Sequence, residues 1–502
     1  MITETSALGN IEEALMTLNY SWGLRALNMA RGNEPTGQDK ALYDGFHELL
    51  EPATVKNMRS KGVESRFEKR IFHTLLGHCL QYGALPYENE LSMWMRGAVA
   101  EVRGEKIHLK HIHDWCQKRS DLRTRRIMEK ETSSLSRFLK PFALSLWEYV
   151  LDLIESELGY EDYVAYCRDK KGVDYSAHFS GVLDVLRATD DLYFGAMEDW
   201  AHESLGIRLS EANRFDGIYL VGLGGLDGLF PDRIPLSDHL RFFDHWQIDV
   251  ANSPGLHLHT AFSRKKGSQG ITFALRIPQE VHVVLNPQGG WIDLETLFHE
   301  MGHALSTIFT SPALSPPEKD FNTSSTLSEA FAFLIQNMCF SPYFLERQLG
   351  LKPGEIETIC HYKALKDMAF FRRYAAKFLA EYRMYKEKAM GDGEGYASIL
   401  KKHTGFSYKP ETQLFDLAPE LYSLDYVMAW MAEASMESVL TRSLGEDWMF
   451  KREGGEILKG WWKGGNRDEL EEFLSRENIG PLNCSALLNR WSNRIVSPRA
   501  SW

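Results

Sequence analysis

Through most of its length this chain repeats apolar residues at the three-to-four residue spacing of a helix. Ile11, Ala14, Leu15, Leu18, Trp22 and Ala26 form one stripe. Phe142, Ala143, Leu146, Trp147, Val150, Leu151 and Ile154 form another. Each set falls on one face of a 3.6-residue helix, so residues 1 to about 205 read as successive helices. Between Ile271 and Asn286 the pattern becomes an alternation: Val281, Val283 and Leu285 are interleaved with His282 and Val284, with Pro278 at the start. That predicts strands. Helical spacing then returns in Leu294, Leu297, Phe298, Met301, Leu305 and Ile308, within a helix over 291–310. At ~100° per residue these fall within about a third of the wheel. Gly289 and Gly290 break whatever precedes this helix, and Asp293 is placed to cap its start. Further helices are predicted over 324–340, over 374–385 and within 416–435, with a turn at Gly391–Gly395.

A chain of 502 residues exceeds what one core holds, which predicts two lobes, 1–205 and 206–502. The net charge of -12 suits a soluble enzyme and disfavours nucleic acid as a partner. No apolar run is long enough to span a membrane, and the polar first ten residues lack a secretory signal's apolar core. Cys79, Cys116, Cys167, Cys339, Cys360 and Cys484 are scattered, as expected of reduced thiols in a cytoplasmic protein. His108, His111 and His113 are interleaved with isoleucine and leucine beside Lys106 and Lys110, the pattern of a solvated strand or loop. Arg123, Arg125 and Arg126 read as a solvated helix face. The glycine-rich run Gly222 to Gly228 is followed by Phe230 to Pro235, which reads as loop. A dinucleotide fingerprint needs a helix there, so the run is expected to be a flexible turn between the lobes.

The chemistry concentrates in His299-Glu300-Met301-Gly302-His303. Two histidines four apart on a helix project to one side, here away from the apolar stripe, and both can reach one Zn²⁺. The intervening Glu300 lies close enough to take a proton from a water held by that ion. Two surface histidines on an amphipathic helix are the plainer alternative. A zinc site of this kind needs a third protein ligand. Glu329 is the only acidic residue in the apolar stretch 324–340. Burying a carboxylate there is costly unless it is paired or metal-bound; the alternative is a helix N-terminal carboxylate favoured by the macrodipole. Glu318 and Asp320 are nearer in sequence but stand beside Pro316 and Pro317. One Zn²⁺ per chain is expected, although Co²⁺ or Mn²⁺ suits the same donors.

The stretch Leu294 to Leu305 (LETLFHEMGHAL) resembles the active-site helix of the thimet oligopeptidase and oligoendopeptidase F family of zinc peptidases. In that family a Glu roughly two dozen residues after the second His, within a helix, completes the site; Glu329 stands 26 after His303. Ile277 to Pro287, Phe371 to Lys377 and Tyr422 to Glu433 resemble the segments around it. The likeness runs over about 185–455 and is strongest to a shorter subfamily. It implies a mainly α, two-lobed zincin-like fold, with a small β-sheet beside the HExxH helix and a central cleft. It also implies hydrolysis of short, unstructured oligopeptides with Glu300 as general base. Tyr422 and Tyr426 fall where the family has tyrosines whose hydroxyls hold the oxyanion. The family's loop histidine has no counterpart, His403 being out of register. The strand carrying His282 and Val283 is expected at a sheet edge, pairing with an extended peptide; an ordinary buried strand is the alternative. Two other functions fit the same pattern. One is a zinc carboxypeptidase of similar helical architecture, which needs a cationic clamp for the terminal carboxylate. The other is a non-catalytic peptide-binding relative, against which the intact His299, Glu300, His303 and Glu329 argue.

Overall fold

A computed structural model describes residues 4–33, 39–230, 236–263, 265–267 and 269–495. The 231–235 part of the expected loop lies outside the described residues. The apolar stripes become helices. The first part of the chain holds α1 (Glu4–Ala30), α2 (Pro52–Ser60), α3 (Arg66–Gly97), a hairpin of β1 (Val99–Val102) and β2 (Glu105–His108), α4 (Ile112–Gln117) and α5 (Leu122–Asp152). Next come α6 (Tyr163–Lys171), α7 (Tyr175–Ala188), α8 (Asp190–Leu205), α9 (Arg214–Val221) and α10 (Leu236–Leu240). A small sheet follows, of β3 (Leu256–His259), β4 (Ile271–Arg276) and β5 (Glu280–Val284). Helices then resume with α11 (Trp291–Ile308), α12 (Pro316–Lys319), α13 (Thr326–Met338), α14 (Pro342–Arg347), α15 (Pro353–Lys386), α16 (Gly393–Thr404) and α17 (Tyr422–Leu444). The last elements are α18 (Arg452–Trp462), α19 (Leu470–Arg476) and α20 (Ser485–Ile495).

Local chemistry sets many of these boundaries. Ser65 and Glu68 form a reciprocal capping box at the start of α3. Asp162 accepts from the Ala165 N–H at the start of α6, and Gly172, at φ 69°, closes its end. The histidine-bearing segment is the expected short irregular one: His108 ends β2, His111 lies in a 3-10 turn and His113 is the second residue of α4.

The arginine cluster departs from expectation. Arg125 is fully buried, and its Nε lies 2.7 Å from Asp216 Oδ1 while Arg126 Nη1 lies 2.6 Å from Oδ2. Asp216 on α9 is itself fully buried, so Arg125 and Arg126 tie α5 to α9; only Arg125 has left the solvated face, since Arg123 is exposed and Arg126 keeps about a third of its side chain in water. The main buried apolar cluster runs from Leu15 in α1 to Ile495 in α20, with two small satellites. The six cysteines are free thiols, five of them buried. Among the described residues no helix is long and apolar enough to cross a membrane.

The sheet corrects a second expectation. Its order is β3-β5-β4, with β5 parallel to β3 and antiparallel to β4. The strand carrying His282 and Val283 is therefore the middle one, hydrogen-bonded on both sides, and offers no free edge to a peptide. Val283 is fully buried in the main core with Val281. On the other face Val284 and Leu275 pack against Leu27 of α1. His282 stacks on His257 and His259 and accepts or donates a 3.0 Å hydrogen bond with His259 Nε2. The cause is β3, a four-residue strand whose residues pair with ones 25 positions later in β5, which covers what local alternation leaves open.

Candidate metal centre

α11 begins after two left-handed glycines, Gly289 at φ 86° and Gly290 at φ 84°. Asp293 does not cap it. As the third helical residue it reaches back to accept from the Gln288 and Gly289 N–H groups at 2.8 and 2.7 Å. Asp227, from the glycine-rich run, supplies the acceptor instead: its Oδ1 lies 3.3 Å from the Trp291 nitrogen. A Cβ on Gly290 would fall 2.0 Å from that oxygen. The run expected as a flexible turn is a 3-10 helix, Gly224–Leu229, docked on the start of the metal helix. The Trp291 indole N–H donates to Gly222 O at 3.0 Å. Two carboxylates at this end also complement the helix dipole.

The crossing of α11 and α13 assembles the ligands, and Gly302 permits it. A Cβ at that position would stand 2.5 Å from Ala332 Cα and 3.0 Å from Phe331 O, well inside ordinary carbon contact distances of about 3.5–4.0 Å. The close approach carries Glu329 of α13 to the histidines. His299 Nε2 and His303 Nε2 lie 3.6 and 3.8 Å from Glu329 Oε2, and the three ligand atoms are mutually within 4.8 Å. Ligands about 2.0–2.1 Å from a tetrahedral Zn²⁺ stand roughly 3.3 Å from one another, so the grouping is close to what the ion requires.

Both histidines are already oriented for a ligand. Gln336 lies seven residues after Glu329, two turns along the same face of α13. Its Nε2 donates to Glu295 Oε1 at 3.1 Å, which leaves Oε1 to meet His299 Nδ1 at 2.8 Å. Glu295 is buried and fixed by Lys366 at 2.6 Å and Lys363 at 3.4 Å. Because Gln336 presents an oxygen, His299 carries its proton on Nδ1 and keeps the Nε2 lone pair for a metal. His303 Nδ1 likewise meets Ser328 Oγ at 2.9 Å. Burial brings His303 down to about 4; burial and then the neighbouring His303 bring His299 down to about 4 as well. Both rings are therefore neutral at physiological pH.

Glu329 is buried, its Oε1 accepts a short hydrogen bond from the Tyr422 hydroxyl, and its Oε2 has no hydrogen-bond partner. An orphaned buried carboxylate oxygen costs free energy unless a cation meets it. Two neutral imidazoles with free Nε2 atoms beside it complete a donor set that fits Zn²⁺. Burial raises Glu329, against the pull of His299 and the Tyr422 hydrogen bond.

Glu300 is buried next to this set. Thr272 of β4 donates from Oγ1 to Glu300 Oε2 at 2.7 Å. Burial nevertheless pushes the carboxyl up to about 7. Gly270 makes room for it, since a Cβ there would come within 2.7 Å of Glu300 Cγ.

Tyr422 opens α17 straight after two residues in left-handed backbone, Glu420 and Leu421, both at φ 54°. Such conformations cost non-glycine residues of order 1–3 kcal/mol each, and α6 holds them. The Glu420 carboxylate accepts from Tyr166 and Lys170 at 2.6 and 2.7 Å, and its N–H donates to the Tyr163 hydroxyl at 2.9 Å. Lys171 Nζ donates to Glu420 O at 2.8 Å and to Asp425 Oδ2 at 2.7 Å. Tyr426 sits one turn further along α17, edge-on to Tyr422 at 4.9 Å and stacked on Tyr374 at 4.6 Å.

The structure thus brings together His299, Glu300, His303, Glu329 and Tyr422, with Tyr426 behind, and leaves out His282 and Val283. His403 is buried on α16, with Arg372 donating to its carbonyl. Sequence reasoning missed Thr272, Ser328, Gln336, Glu295 and Asp227. Only Gln336 carried a legible signal, as a polar residue in register with Glu329.

Two histidines and a glutamate on crossed helices, with a buried carboxyl beside them, form a group that could hold one metal ion. The chain is similar in fold to a solved structure described as Pz peptidase A with inhibitor 2, at a TM-score of 0.63 and 14% identity over 91% of this chain and 85% of that one. The fold is accordingly mainly α, two-lobed and zincin-like, with small sheets. No family model and no curated protein sequence matches the chain.

Proposed function

We propose that the protein is a metal-dependent peptidase that hydrolyses peptide bonds in short, unstructured oligopeptides. The observation that carries this reading is the orphaned Glu329 Oε2 facing two neutral imidazoles beside a buried glutamic acid. His299, His303 and Glu329 would hold one Zn²⁺ per chain. Bound there, the ion supplies Lewis-acid activation of water and of the scissile carbonyl.

The remaining work falls to the protein. Glu300 takes the proton of the attacking water and returns it to the leaving amine. Thr272 occupies its Oε2, which leaves Oε1 for that proton. Tyr422 spends its one hydroxyl proton on Glu329 Oε1, so Tyr426, edge-on beside it, would be the hydroxyl donor for the developing oxyanion. β4 carries Thr272 and is an edge strand of the three-stranded sheet. Its backbone takes over the peptide-pairing role once expected of β5. The fold shared with Pz peptidase A supports the same reading.

The test is a quenched-peptide screen on zinc-loaded protein with and without chelator, alongside metal analysis. One Zn²⁺ per chain is expected, with cleavage lost on chelation and restored by Zn²⁺. Glu300→Gln should keep the metal and lose turnover. Loaded protein that cleaves no peptide in the screen overturns the reading.

A further inference from the structure

Behind His299 a buried relay of polar groups reaches α15, and Gln336 is its middle member. The oxygen and nitrogen of an amide have the same shape, so packing does not choose which of them meets His299 Nδ1. The far end of the side chain decides it. Glu295, as an ionised carboxylate, only accepts; at 3.1 Å it takes the Gln336 NH₂ and turns the amide oxygen toward the histidine. The reverse orientation would press two oxygens together and aim an N–H at His299 Nδ1. The imidazole would then carry its proton on Nε2, the atom a metal needs bare.

The charge on Glu295 has its own support. The side chain is buried, and an isolated carboxylate at such depth neutralises itself by taking up a proton. Lys366 on α15 prevents this, with its Nζ 2.6 Å from both Glu295 oxygens. Lys363 stands 3.4 Å away, but it also serves Asp367 at 2.6 Å and Asn337 Oδ1 at 3.1 Å. Burial opposes the charge; Lys366 and then Lys363 overcome it and hold the carboxyl below its ordinary range. Lys366 is placed in turn by the rings of Trp291 and Phe370, whose centres lie 4.6 and 5.2 Å from Nζ. His303 stands outside this relay. Its Nδ1 meets the Ser328 hydroxyl, which rotates to suit either tautomer.

We propose that Lys366 is a positioning residue for the metal centre: by keeping Glu295 charged it sets the Gln336 amide and, through that amide, the tautomer of His299. This rests on the reading of His299, His303 and Glu329 as metal ligands, and not on which bond the protein cleaves.

Two measurements on the whole chain test it: Zn²⁺ affinity by competition against a chromophoric chelator, and ¹⁵N NMR of histidine-labelled, metal-free protein for the tautomers. Wild type should show His299 protonated on Nδ1. Glu295→Gln, which donates as well as accepts, and Lys366→Met should each weaken Zn²⁺ binding by about 10–100-fold. Both should move His299 toward the Nε2–H form and leave His303 unchanged. Exchanging the two groups, Glu295→Gln with Gln336→Glu, sets a carboxylate against His299 that needs no orienting. The exchange should restore both affinity and tautomer, which a packing role for Glu295 does not predict. Circular dichroism confirms folding; if Lys366→Met fails to fold, Glu295→Gln and the exchange decide. Folded single variants with wild-type affinity and an unmoved His299 signal overturn the proposal and leave the metal centre standing. An exchange variant as weak as Glu295→Gln overturns it too. Wild type that takes up no Zn²⁺, while the His299 signal still follows Glu295, overturns the metal reading and not the relay.

Discussion

Gly302→Ala isolates the contact on which the metal centre depends. The added methyl would lie 2.5 Å from Ala332 Cα, 3.0 Å from Phe331 O and 3.1 Å from Ala332 N. All three neighbours are backbone, so no side chain can swing away. To restore contacts of about 3.5 Å the two helices must part by about 1 Å at the crossing. Glu329 lies on α13 one turn before Ala332 and moves with it. Metal sites tolerate ligand displacements of only about 0.2 Å, so metal affinity should fall by well over tenfold. Overpacking of this kind costs about 1–3 kcal/mol, partly masked by the roughly 1 kcal/mol that alanine gains over glycine in a helix. Gly460→Ala supplies the reference, because Gly460 is exposed on α18 and a Cβ there meets nothing within 4 Å. Both variants gain the same helix propensity, and their difference in urea unfolding of metal-free protein reads the overpacking alone. Competition against a chromophoric chelator reads the affinity. If Gly302→Ala bound Zn²⁺ like the wild type and matched Gly460→Ala in stability, close helix approach would not be what builds the site.

Three further outcomes follow from the surroundings of the ligands. Glu300 is pushed up from 4.5 to about 7, so the folded protein keeps a proton that the unfolded chain releases over that interval, and native stability falls as pH rises through it. Gln carries no such proton; in metal-free protein the stability of Glu300→Gln relative to wild type should grow by about 2.5 kcal/mol between pH 5 and pH 8, read by urea titration, and a constant difference contradicts the assignment. Gln336→Leu removes the acceptor on His299 Nδ1 and should weaken Zn²⁺ binding about 10–100-fold in chelator competition, with little change in helix content. Lys171→Met strands the buried Asp425 carboxylate and should cost about 3–5 kcal/mol in denaturant titration. Adding Asp425→Asn should recover most of that loss, whereas turnover should stay low because Glu420 O remains without its donor.

What could be read before the structure was local. The HExxH helix was visible because its apolar stripe and its two histidines occupy opposite sides of one periodic segment. Glu329 stood out as a lone charge in apolar sequence. What stayed hidden depends on partners distant in the chain. β5 alternates like an edge strand, but β3 arrives from an unremarkable four-residue LHLH segment and closes its second side. Arg125 and Arg126 look solvated until Asp216, about 90 residues away, is folded against them. Thr272 and Asp227 act on the centre through β4 and a 3-10 turn whose placement no periodicity announces. Gly302 is the middle case: a glycine inside a helix pattern hints at close packing, but not at which helix comes near.

The hold of α6 on Glu420 and Leu421 divides the centre by origin. The candidate metal donors come from two neighbouring helices, α11 and α13, whereas the hydroxyl of Tyr422 is delivered by a bent backbone that a helix some 250 residues earlier keeps in place. On the proposed function, loading a cation would need only α11 and α13, whereas completing the array around it would also need α6. A molecule whose first helices have loosened would still carry its ion while standing idle, and re-docking α6 would act as the latch that makes it competent.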